Sequence, residues 1–329
     1  MKFQGVKIAG TGSYVPDKIM TNEDLSKIVD TSDEWIYTRT GISERRIAAD
    51  DEFTSDLATN ASTKALDDAG IKAEDIELII VATLTPDKVF PNTASLVQSN
   101  IGSPKAACFS IEAGCTGFVY ALEVAAGMVG SGLYSNALVI GAEKLTSIVD
   151  WEDRTTCVLF GDGAGAAVIT SCAPEENSYL GSDLGSNGDQ HDILHIPGGG
   201  CAAPISKQVL DDKLNTLKMN GKEVFKHAVN GMSASAQAAL EESGLDIEEI
   251  DWVVAHQANF RIINAVGQKL SVPQEKVYIN VDKYGNTSAA SVPLAFDEMI
   301  KKDLIKRGDK VLFVAFGGGL TWGASVIEF

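Results

Sequence analysis

The chain carries an internal repeat, and this repeat limits the folds that are open to it. Each copy has a helix, a glycine stop, an acidic turn and a buried strand; about thirty residues later a turn of short residues leads into another helix, and a further apolar strand follows. Three matches in the same order predict a duplicated α/β unit. The paired segments are ALDDAGIKAEDIELIIVA (65–82) with ALEESGLDIEEIDWVVA (239–255), GCTGFVYAL (114–122) with GNTSAASVPLAF (285–296), and NALVIGAEKL (136–145) with DKVLFVAFGGGL (309–320).

Apolar runs of strand length alternate with amphipathic helices along the chain, which is typical of an α/β sheet protein. We expect an N-terminal half over 1–180 and a C-terminal half over 181–329, with the polar, glycine-rich tract 182–205 as a long excursion or as the boundary. The predicted strands are Val6–Gly10, Leu78–Ala82, Ala137–Ala142, Ala164–Ser171, Trp252–Ala255 and Val311–Phe316, and the predicted helices are Asp56–Ala69, Gly117–Gly130, Gly231–Ser243 and Ser291–Lys302.

The charge and hydropathy of the chain exclude some classes of partner. With 27 Lys and Arg against 45 Asp and Glu, the net charge is −18. Nucleic acid is therefore not expected as a partner, because its phosphates bind basic surfaces, whereas an acidic protein could still dock on a local basic patch. The sequence shows neither a signal-peptide layout nor an apolar run near the ~20 residues of a membrane span, so we expect a cytoplasmic protein without membrane contact.

The cysteines and histidines do not predict a metal site. The 5 cysteines show no C-x-x-C pair, which indicates free thiols in a reducing compartment. His191 and His195 have helical spacing, but Pro197 and three glycines follow at once and end any helix there. We therefore expect no metal.

Cys115 lies where a short-residue turn enters a predicted helix. A thiol at a helix N-terminus is close to unpaired N–H groups and to the positive end of the helix dipole, which favour the thiolate, and the backbone amides beside it can bind an oxyanion. This position suits a nucleophile. From spacing alone, a small buried residue that packs under the helix explains it equally well.

Two polar residues in the second half lie at equivalent loops, which a duplicated body brings together near its pseudo-twofold axis. His256 ends the strand IDWVVA, and ligands bind at such strand ends in α/β sheets; a histidine satisfied by core neighbours is the alternative. Asn286 precedes a helix, where asparagine is also a common cap. The repeat pairs Asn286 with Cys115. Together a cysteine, a histidine and an asparagine can hold an acyl group and polarise a second carbonyl.

Two glycine-rich segments need separate explanations. FGDGAGAAVI (160–169) lacks the G-x-G-x-x-G order and leads into a strand, so we interpret it as a hairpin or close-packing element and not as a dinucleotide site. FGGGLTWG (316–323) is either a tight turn or a row of bare N–H groups that face a ligand. In the second case, one of its amides would complete an oxyanion hole.

At these residues the sequence closely resembles the β-ketoacyl-acyl-carrier-protein synthase III family, the condensing enzymes of the thiolase superfamily that start type II fatty-acid synthesis. The resemblance covers nearly the full chain, and seven motifs in order make it specific. They are TSDEWIYTRTGISERRIA (31–48), GCTGF (114–118), DRTTCVLFGDGAGA (153–166), NGKEVFKHAV (220–229), HQANFRI (256–262), YGNTSAAS (284–291) and GGGLTWG (317–323).

The resemblance implies a thiolase-like, duplicated five-layer α-β-α-β-α fold and a homodimer. It also implies that Cys115 takes an acyl group from acyl-CoA, and that His256 and Asn286 stabilise the enolate formed when malonyl-acyl-carrier protein loses carbon dioxide. The amides of Cys115 and Gly318 would form the oxyanion hole. Acyl-CoA is then a substrate, and no cofactor is implied.

Further residues match family positions for binding. Trp35 and Arg154 match the pair that sandwiches the CoA adenine, and Arg39 matches a residue that meets its phosphates. Phe90 matches a residue that closes the acyl pocket of the partner subunit. A basic surface for the acidic acyl carrier protein is matched by Lys226, Arg261 and Lys269.

Three departures from the family pattern leave the catalytic positions intact. Ala113-Gly114 stands where Ala-Ala is more usual, Leu320 where Phe is commoner, and Gln268 where a second basic residue is common. The three departures bear on the size of the acyl group that the protein accepts as primer and on its affinity for the acyl carrier protein. Other classes remain as alternatives: a cysteine hydrolase, although the papain-type C-G-S-C-W signature is absent; a related synthase with another acyl donor or nucleophile; and a catalytically silent acyl-binding homologue.

Overall fold

The computed structural model describes residues 4–329 and contains two main β-sheets with helices on their faces. The strands are β1 (Gly5–Tyr14), β2 (Lys18–Thr21), β3 (Glu44–Ile47), β4 (Leu78–Ala82), β5 (Ala107–Ile111), β6 (Asn136–Glu143), β7 (Gly163–Cys172), β8 (Tyr179–Ser186), β9 (Leu194–His195), β10 (Lys218–Met219), β11 (Trp252–Ala255), β12 (Lys310–Gly317) and β13 (Thr321–Glu328). The helices are α1 (Asn22–Leu25), α2 (Asp33–Thr40), α3 (Thr54–Ala69), α4 (Thr93–Ile101), α5 (Gly117–Gly130), α6 (Lys207–Asp211), α7 (Gly221–Ser243), α8 (Phe260–Lys269), α9 (Val281–Tyr284) and α10 (Ser291–Lys301).

The two sheets have the same strand order and directions, which confirms the predicted duplication. The first runs β5-β4-β6-β7-β1, with β4 parallel to β5 and β6 and with β7 antiparallel to β6 and β1. The second runs β11-β12-β13-β8 with the same sequence of directions. In the position that corresponds to β5, the second sheet has only an isolated parallel bridge between Val253 and Val277.

Three hydrophobic cores separate five layers, as the family resemblance implies. One core lies between the first sheet and the outer helices α3 and α4, another between the second sheet and α7 and α8, and the central core holds α5 and α10 between the two sheets. Alternation along the strands produces this arrangement, because successive side chains point to opposite faces. In β4, for example, Ile80 belongs to the central core while Ile79 and Val81 belong to the outer one.

The central layer is fixed by aromatic contacts between the halves. Phe313 of β12 packs edge-on against Phe118 of α5 and Phe296 of α10, with ring centroids 6.5 and 4.9 Å away. All three rings are buried, and burying each one stabilises the fold by roughly 1.5–3 kcal/mol. These contacts hold the N-termini of α5 and α10 beside each other, and the candidate site lies there.

The predicted elements are present, with differences in extent. Helix α7 begins at Gly221, well before the predicted Gly231, because the Asn220 side chain caps it by accepting a hydrogen bond from the Glu223 N–H. The prediction of a long excursion over 182–205 is wrong for the first part of this tract, because Ser182–Ser186 belongs to β8. Its glycines allow close packing: a Cβ on Gly185 would lie 2.3 Å from the Trp322 ring. The division of the halves at 180/181 falls inside β8 and stays a proposal.

The segment FGDGAGAAVI is confirmed as a close-packing element. Its glycines lead into β7, which lies against α10. A Cβ on Gly165 would lie 2.6 Å from the backbone nitrogen of Leu294, so a larger residue would push the strand away from the helix. Within residues 4–329, every helix is too short or too polar to cross a lipid bilayer.

Candidate active site

A cavity of about 610 Å³ opens where α5, β11 and the turn before α10 converge. Cys115, His256, Asn286 and Gly318 all line it, so the structure brings the four expected residues of the reaction centre together. Most of the wall is apolar. A pocket of this kind excludes water and strengthens hydrogen bonds within it.

Cys115 lies in a 3-10 turn, Gly114–Thr116, that passes directly into α5. Gly114 has φ of +54°, a left-handed conformation that favours glycine, and a Cβ there would lie 2.9 Å from the Gly318 nitrogen. Gly114 fits this left-handed, closely packed position without strain, whereas the alanine more usual in the family would place a Cβ there. The thiol is thereby set against the cavity with only 8 % of Cys115 exposed.

Burial dominates the electrostatics of the thiol. It raises the pKa of Cys115 to about 12, and the neighbouring Ser288 hydroxyl lowers this pKa only in part. Burial therefore opposes the thiolate that the helix terminus favours. A nucleophilic role for Cys115 calls for a proton acceptor close to the thiol.

His256 follows β11, and only 3 % of its surface is exposed. Its backbone N–H donates to the Val314 carbonyl at 2.8 Å. Burial lowers its pKa to about 3, so the imidazole is neutral. Its Nδ1 lies 2.6 Å from Ser291 Oγ, which also accepts the Gln257 N–H at 3.3 Å. Because Ser291 Oγ accepts the Gln257 N–H, we assign its own proton to the hydrogen bond with Nδ1, which places the ring proton on Nε2.

Asn286 is held by both halves of the molecule. Its N–H donates to the Leu159 carbonyl at 2.8 Å, and its carbonyl accepts the Gly161 N–H at 3.1 Å. The side-chain Oδ1 accepts the Ser288 N–H at 2.8 Å, which assigns the amide orientation. Asn286 therefore does cap a turn, and its Nδ2, for which residues 4–329 provide no acceptor, remains available as a donor to the cavity it lines.

Two backbone amides lie beside the thiol. The Gly317–Gly319 segment runs so close to Gly114–Thr116 that a Cβ on Gly317 would lie 2.4 Å from the Cys115 nitrogen. Within the described part of the chain, neither the Cys115 nor the Gly318 N–H donates to a protein acceptor. The glycine-rich segment thus forms a turn and also presents bare N–H groups, as an oxyanion hole requires.

The predicted CoA residues lie together at the mouth of the cavity. The Trp35 ring has the Arg39 guanidinium 4.6 Å from its centroid and the Arg154 guanidinium 5.3 Å from it. Trp35 and Arg39 line the cavity, whereas Arg154 lies just outside and donates to the Asp30 carbonyl at 2.9 Å. The cluster joins one flat aromatic face to two cations.

The remaining predicted residues lie outside the cavity. Phe90 is 86 % exposed, on the loop between β4 and α4, and does not reach the cavity of its own chain. Lys226 on α7 and Arg261 and Lys269 on α8 are exposed on two helices that pack together. Glu223, 3.9 Å from the Lys226 ammonium, reduces the positive charge of this patch.

The sequence analysis missed three polar residues beside the reaction centre. Ser291 orients His256, and Ser288 and Glu143 lie behind the thiol. The only available signal was a single acidic residue, Glu143, at the end of the apolar run NALVIGA. Ser291 meets His256 of its own half, and Ser288 lies near Cys115 and Glu143 of the other half; a linear pattern reveals neither contact.

Comparisons with known proteins agree with the family resemblance. Sequence models of 3-oxoacyl-[acyl-carrier-protein] synthase III match residues 109–188, and those of its C-terminal part match residues 240–329. The chain is 56 % identical over 98 % of its length to the β-ketoacyl-[acyl-carrier-protein] synthase III of Caldanaerobacter subterraneus subsp. tengcongensis, covering 97 % of that protein. It is 53 % identical to the enzyme of that name from Clostridium acetobutylicum, covering 98 % of both chains.

A solved structure extends the agreement to the fold. The crystal structure of 3-oxoacyl-[acyl-carrier-protein] synthase III from Aquifex aeolicus VF5 superposes with a TM-score of 0.91 at 49 % identity, covering 99 % of this chain and 100 % of that one. Relatives at this identity, matched from end to end, share more than an architecture. The chain belongs to the β-ketoacyl-acyl-carrier-protein synthase III family.

Proposed function

We propose that this protein starts type II fatty-acid synthesis by transferring a short acyl group from acyl-CoA to Cys115 and condensing it with malonyl-acyl-carrier protein. The products are CoA, carbon dioxide and 3-oxoacyl-acyl-carrier protein. The observation that carries the proposal is the convergence of Cys115, His256 and Asn286 on one apolar cavity beside two bare amides.

In the first half-reaction, the Cys115 sulfur attacks the thioester carbon of acyl-CoA. The carbonyl oxygen becomes an oxyanion that the N–H groups of Cys115 and Gly318 stabilise. The bond between the acyl carbon and the CoA sulfur then breaks, which leaves the acyl group on Cys115. Donors of this kind act best where water is excluded, and the burial of Cys115 provides that condition.

In the second half-reaction, malonyl-acyl-carrier protein loses carbon dioxide and forms an enolate that attacks the acyl-cysteine. His256 donates from Nε2 and Asn286 from Nδ2 to the thioester oxygen of the malonyl group, where the negative charge develops. A neutral imidazole suits this role because it donates a hydrogen bond without holding a full charge. Decarboxylation creates the carbanion, so no strong base is needed.

Substrate and partner binding depends on groups at the mouth of the cavity and on the protein surface. The adenine of CoA stacks on Trp35, and it enters beneath Arg154 only if that guanidinium moves outward from its 5.3 Å position; Arg39 meets the phosphates. The exposed Lys226, Arg261 and Lys269 dock the acidic carrier protein. Exposed Phe90 inserts into the neighbouring protomer of a cytoplasmic homodimer and closes its acyl pocket, which removes an apolar ring from water.

The test is a condensation assay with acetyl-CoA and malonyl-acyl-carrier protein, in which carbon dioxide and acetoacetyl-acyl-carrier protein are measured. The proposal predicts that both products form in equal amounts and only when both substrates are present. Release of free acetate without malonyl dependence would favour a cysteine hydrolase. Turnover with only a branched or longer acyl-CoA would keep the mechanism and change the primer, and no turnover with any of these would favour a silent homologue.

A further inference from the structure

Glu143 is a buried carboxylic acid near Cys115, and the two half-reactions described above give it no role. It ends β6 with none of its surface exposed. The turn after β4 holds it: its Oε2 accepts the Thr85 hydroxyl at 2.6 Å, the Thr83 hydroxyl at 3.1 Å and the Thr85 N–H at 3.2 Å. These donors stabilise a carboxylate, whereas burial favours the acid, and the balance raises the pKa of Glu143 to about 7.

Ser288 lies near both this carboxyl and the thiol. The residue is 1 % exposed and lines the cavity, and its Oγ makes no hydrogen bond of normal geometry among the described residues. The hydroxyl is nevertheless close enough to both Cys115 and Glu143 to lower the pKa of each. A buried hydroxyl without a fixed partner normally carries an energetic cost, so its place between two titratable groups needs an explanation.

The backbone conformation of Ser288 also indicates that its hydroxyl has a role. Its φ of +50° is left-handed, which costs a non-glycine residue roughly 1–2 kcal/mol. The Asn286 side chain holds this conformation by accepting the Ser288 N–H. A glycine would fit the backbone better, so the strained serine indicates that the hydroxyl itself is required.

We propose that Glu143 receives the Cys115 proton through the Ser288 hydroxyl when the acyl thioester is attacked. This rests on the proposed function. As the sulfur–carbon bond forms and the thiol S–H breaks, Ser288 passes its own proton to the carboxylate and takes that of the thiol. The CoA thiolate leaves and takes a proton from solvent. When condensation later releases Cys115 as a thiolate, Glu143 returns the stored proton, so one solvent proton is consumed for each malonyl carboxylate lost as carbon dioxide.

The other titratable groups near Cys115 are less suited than Glu143 to accept its proton. Lys144, next to Glu143, directs its ammonium to the carbonyls of Ala49 and Glu52 at 2.7 and 2.6 Å. Glu112 is exposed, and its carboxylate accepts the Gly114 N–H at 2.9 Å. His256 cannot hold the proton near neutral pH, because its pKa is about 3. Glu143 is therefore the buried acceptor whose titration falls in the working range.

The relay makes a specific prediction about pH. Only ionised Glu143 accepts a proton, so the rate of Cys115 acylation should rise with pH through about 7 and then level. In Glu143→Gln and in Ser288→Gly the level rate should fall roughly 100-fold or more, the usual scale of acid–base catalysis. The inflection should also disappear, leaving a slow rise toward the pKa of the thiol itself, about 12. Ser288→Gly keeps the left-handed backbone, so lost activity would not come from strain.

The experiment is rapid-quench mass spectrometry of the purified enzyme with acetyl-CoA between about pH 5 and pH 9, roughly two units either side of the inflection. Asp162→Asn is the matched control, because Asp162 is also fully buried and accepts hydrogen bonds from Thr146 and Ala48 but does not line the cavity. It should lower stability and leave the pH profile unchanged.

The outcomes separate the relay from the reaction. Loss of the inflection in Glu143→Gln and Ser288→Gly, with the control normal, supports the relay. A wild-type pH profile of acylation in folded Glu143→Gln or folded Ser288→Gly overturns the relay but leaves the proposed function standing. The same holds if Glu112→Gln, and not these variants, abolishes the inflection in the pH profile. A wild-type enzyme that no acyl-CoA acylates overturns the proposed function and the relay with it.

Discussion

The turn that leads into α5 and the turn that leads into α10 can be compared residue by residue, because both are 3-10 turns that pass directly into a buried helix. Their first residues, Gly114 and Ser288, have left-handed φ values of +54° and +50°. Counted from the helix start, Cys115 corresponds to Ala289, and Gly117 to Ser291. The expected pairing of Cys115 with Asn286 is therefore wrong by three positions, since Asn286 precedes its turn.

The same backbone carries different chemistry in the two turns. The N-terminal turn has the proposed nucleophile between two glycines, which let neighbouring backbone approach closely. The C-terminal turn has a methyl group in place of the thiol and a hydroxyl in place of each glycine, one beside Cys115 and one on His256. In the proposed mechanism the two copies therefore have different roles: the N-terminal copy supplies the nucleophile, and the C-terminal copy supplies the hydrogen-bond donors and the residues that orient them.

The largest expected effect comes from removing the nucleophile. Cys115→Ala should lose acylation and condensation together, because Cys115 is the only cysteine of residues 4–329 that lines the cavity. Placing a cysteine in the equivalent turn, Cys115→Ala with Ala289→Cys, should not restore activity, since Ala289 is buried and does not line the cavity. Intact-mass measurement after acyl-CoA treatment checks both. Cys201 is exposed, so Cys201→Ala is the control and should be acylated normally at Cys115. Acylation of the double variant would show that the two turns can exchange roles, which contradicts the account.

Next in size is the loss of a donor from the second copy. His256→Ala and Asn286→Ala should still be acylated at Cys115 but should decarboxylate malonyl-acyl-carrier protein roughly 100- to 1,000-fold more slowly, as is usual when one donor to a developing oxyanion is removed. Separate assays of acyl-enzyme formation and carbon dioxide release measure the two steps. If His256→Ala also abolished acylation, the division of roles would be wrong.

A smaller effect tests the support given to His256. Ser291→Ala removes the hydroxyl that fixes the Nε2–H tautomer, so condensation should fall about tenfold while acylation stays normal, as with other groups that orient a histidine. Ser291→Thr keeps the hydroxyl and should recover most of the rate. The kcat for carbon dioxide release, measured with the KM for malonyl-acyl-carrier protein, distinguishes lost orientation from lost binding. Equal loss in both half-reactions would contradict the assignment.

The smallest effect concerns the backbone that the two turns share. Gly114→Ala puts a Cβ at a left-handed residue and 2.9 Å from Gly318, so it should lower the free energy of unfolding by at least the roughly 1–2 kcal/mol of the backbone term. Ser288→Gly relieves the same strain and should not destabilise the protein. Urea denaturation of both variants gives the difference. Similar destabilisation by both would mean that the turns are not equivalent.

The sequence predicted the fold and the grouping of Cys115, His256 and Asn286 better than it predicted the residues around them. Repeats and motifs are linear patterns, so the two sheets, Cys115, His256 and Asn286 could be found from them. The raised pKa of Cys115 could not, because it depends on how completely the thiol is buried. Nor could Ser288 and Glu143, which meet the thiol only because the turn before α10 and the end of β6 converge in the folded chain.

The central claim is that one copy of the repeat holds the acyl group and the other directs its condensation. Its most direct test is intact-protein mass spectrometry after incubation with acetyl-CoA alone, followed by peptide mapping and then by addition of malonyl-acyl-carrier protein. The account predicts a single acetyl group on Cys115 that is discharged as acetoacetyl-acyl-carrier protein. An acetyl group on another residue, or one that leaves Cys115 only as free acetate, would contradict it.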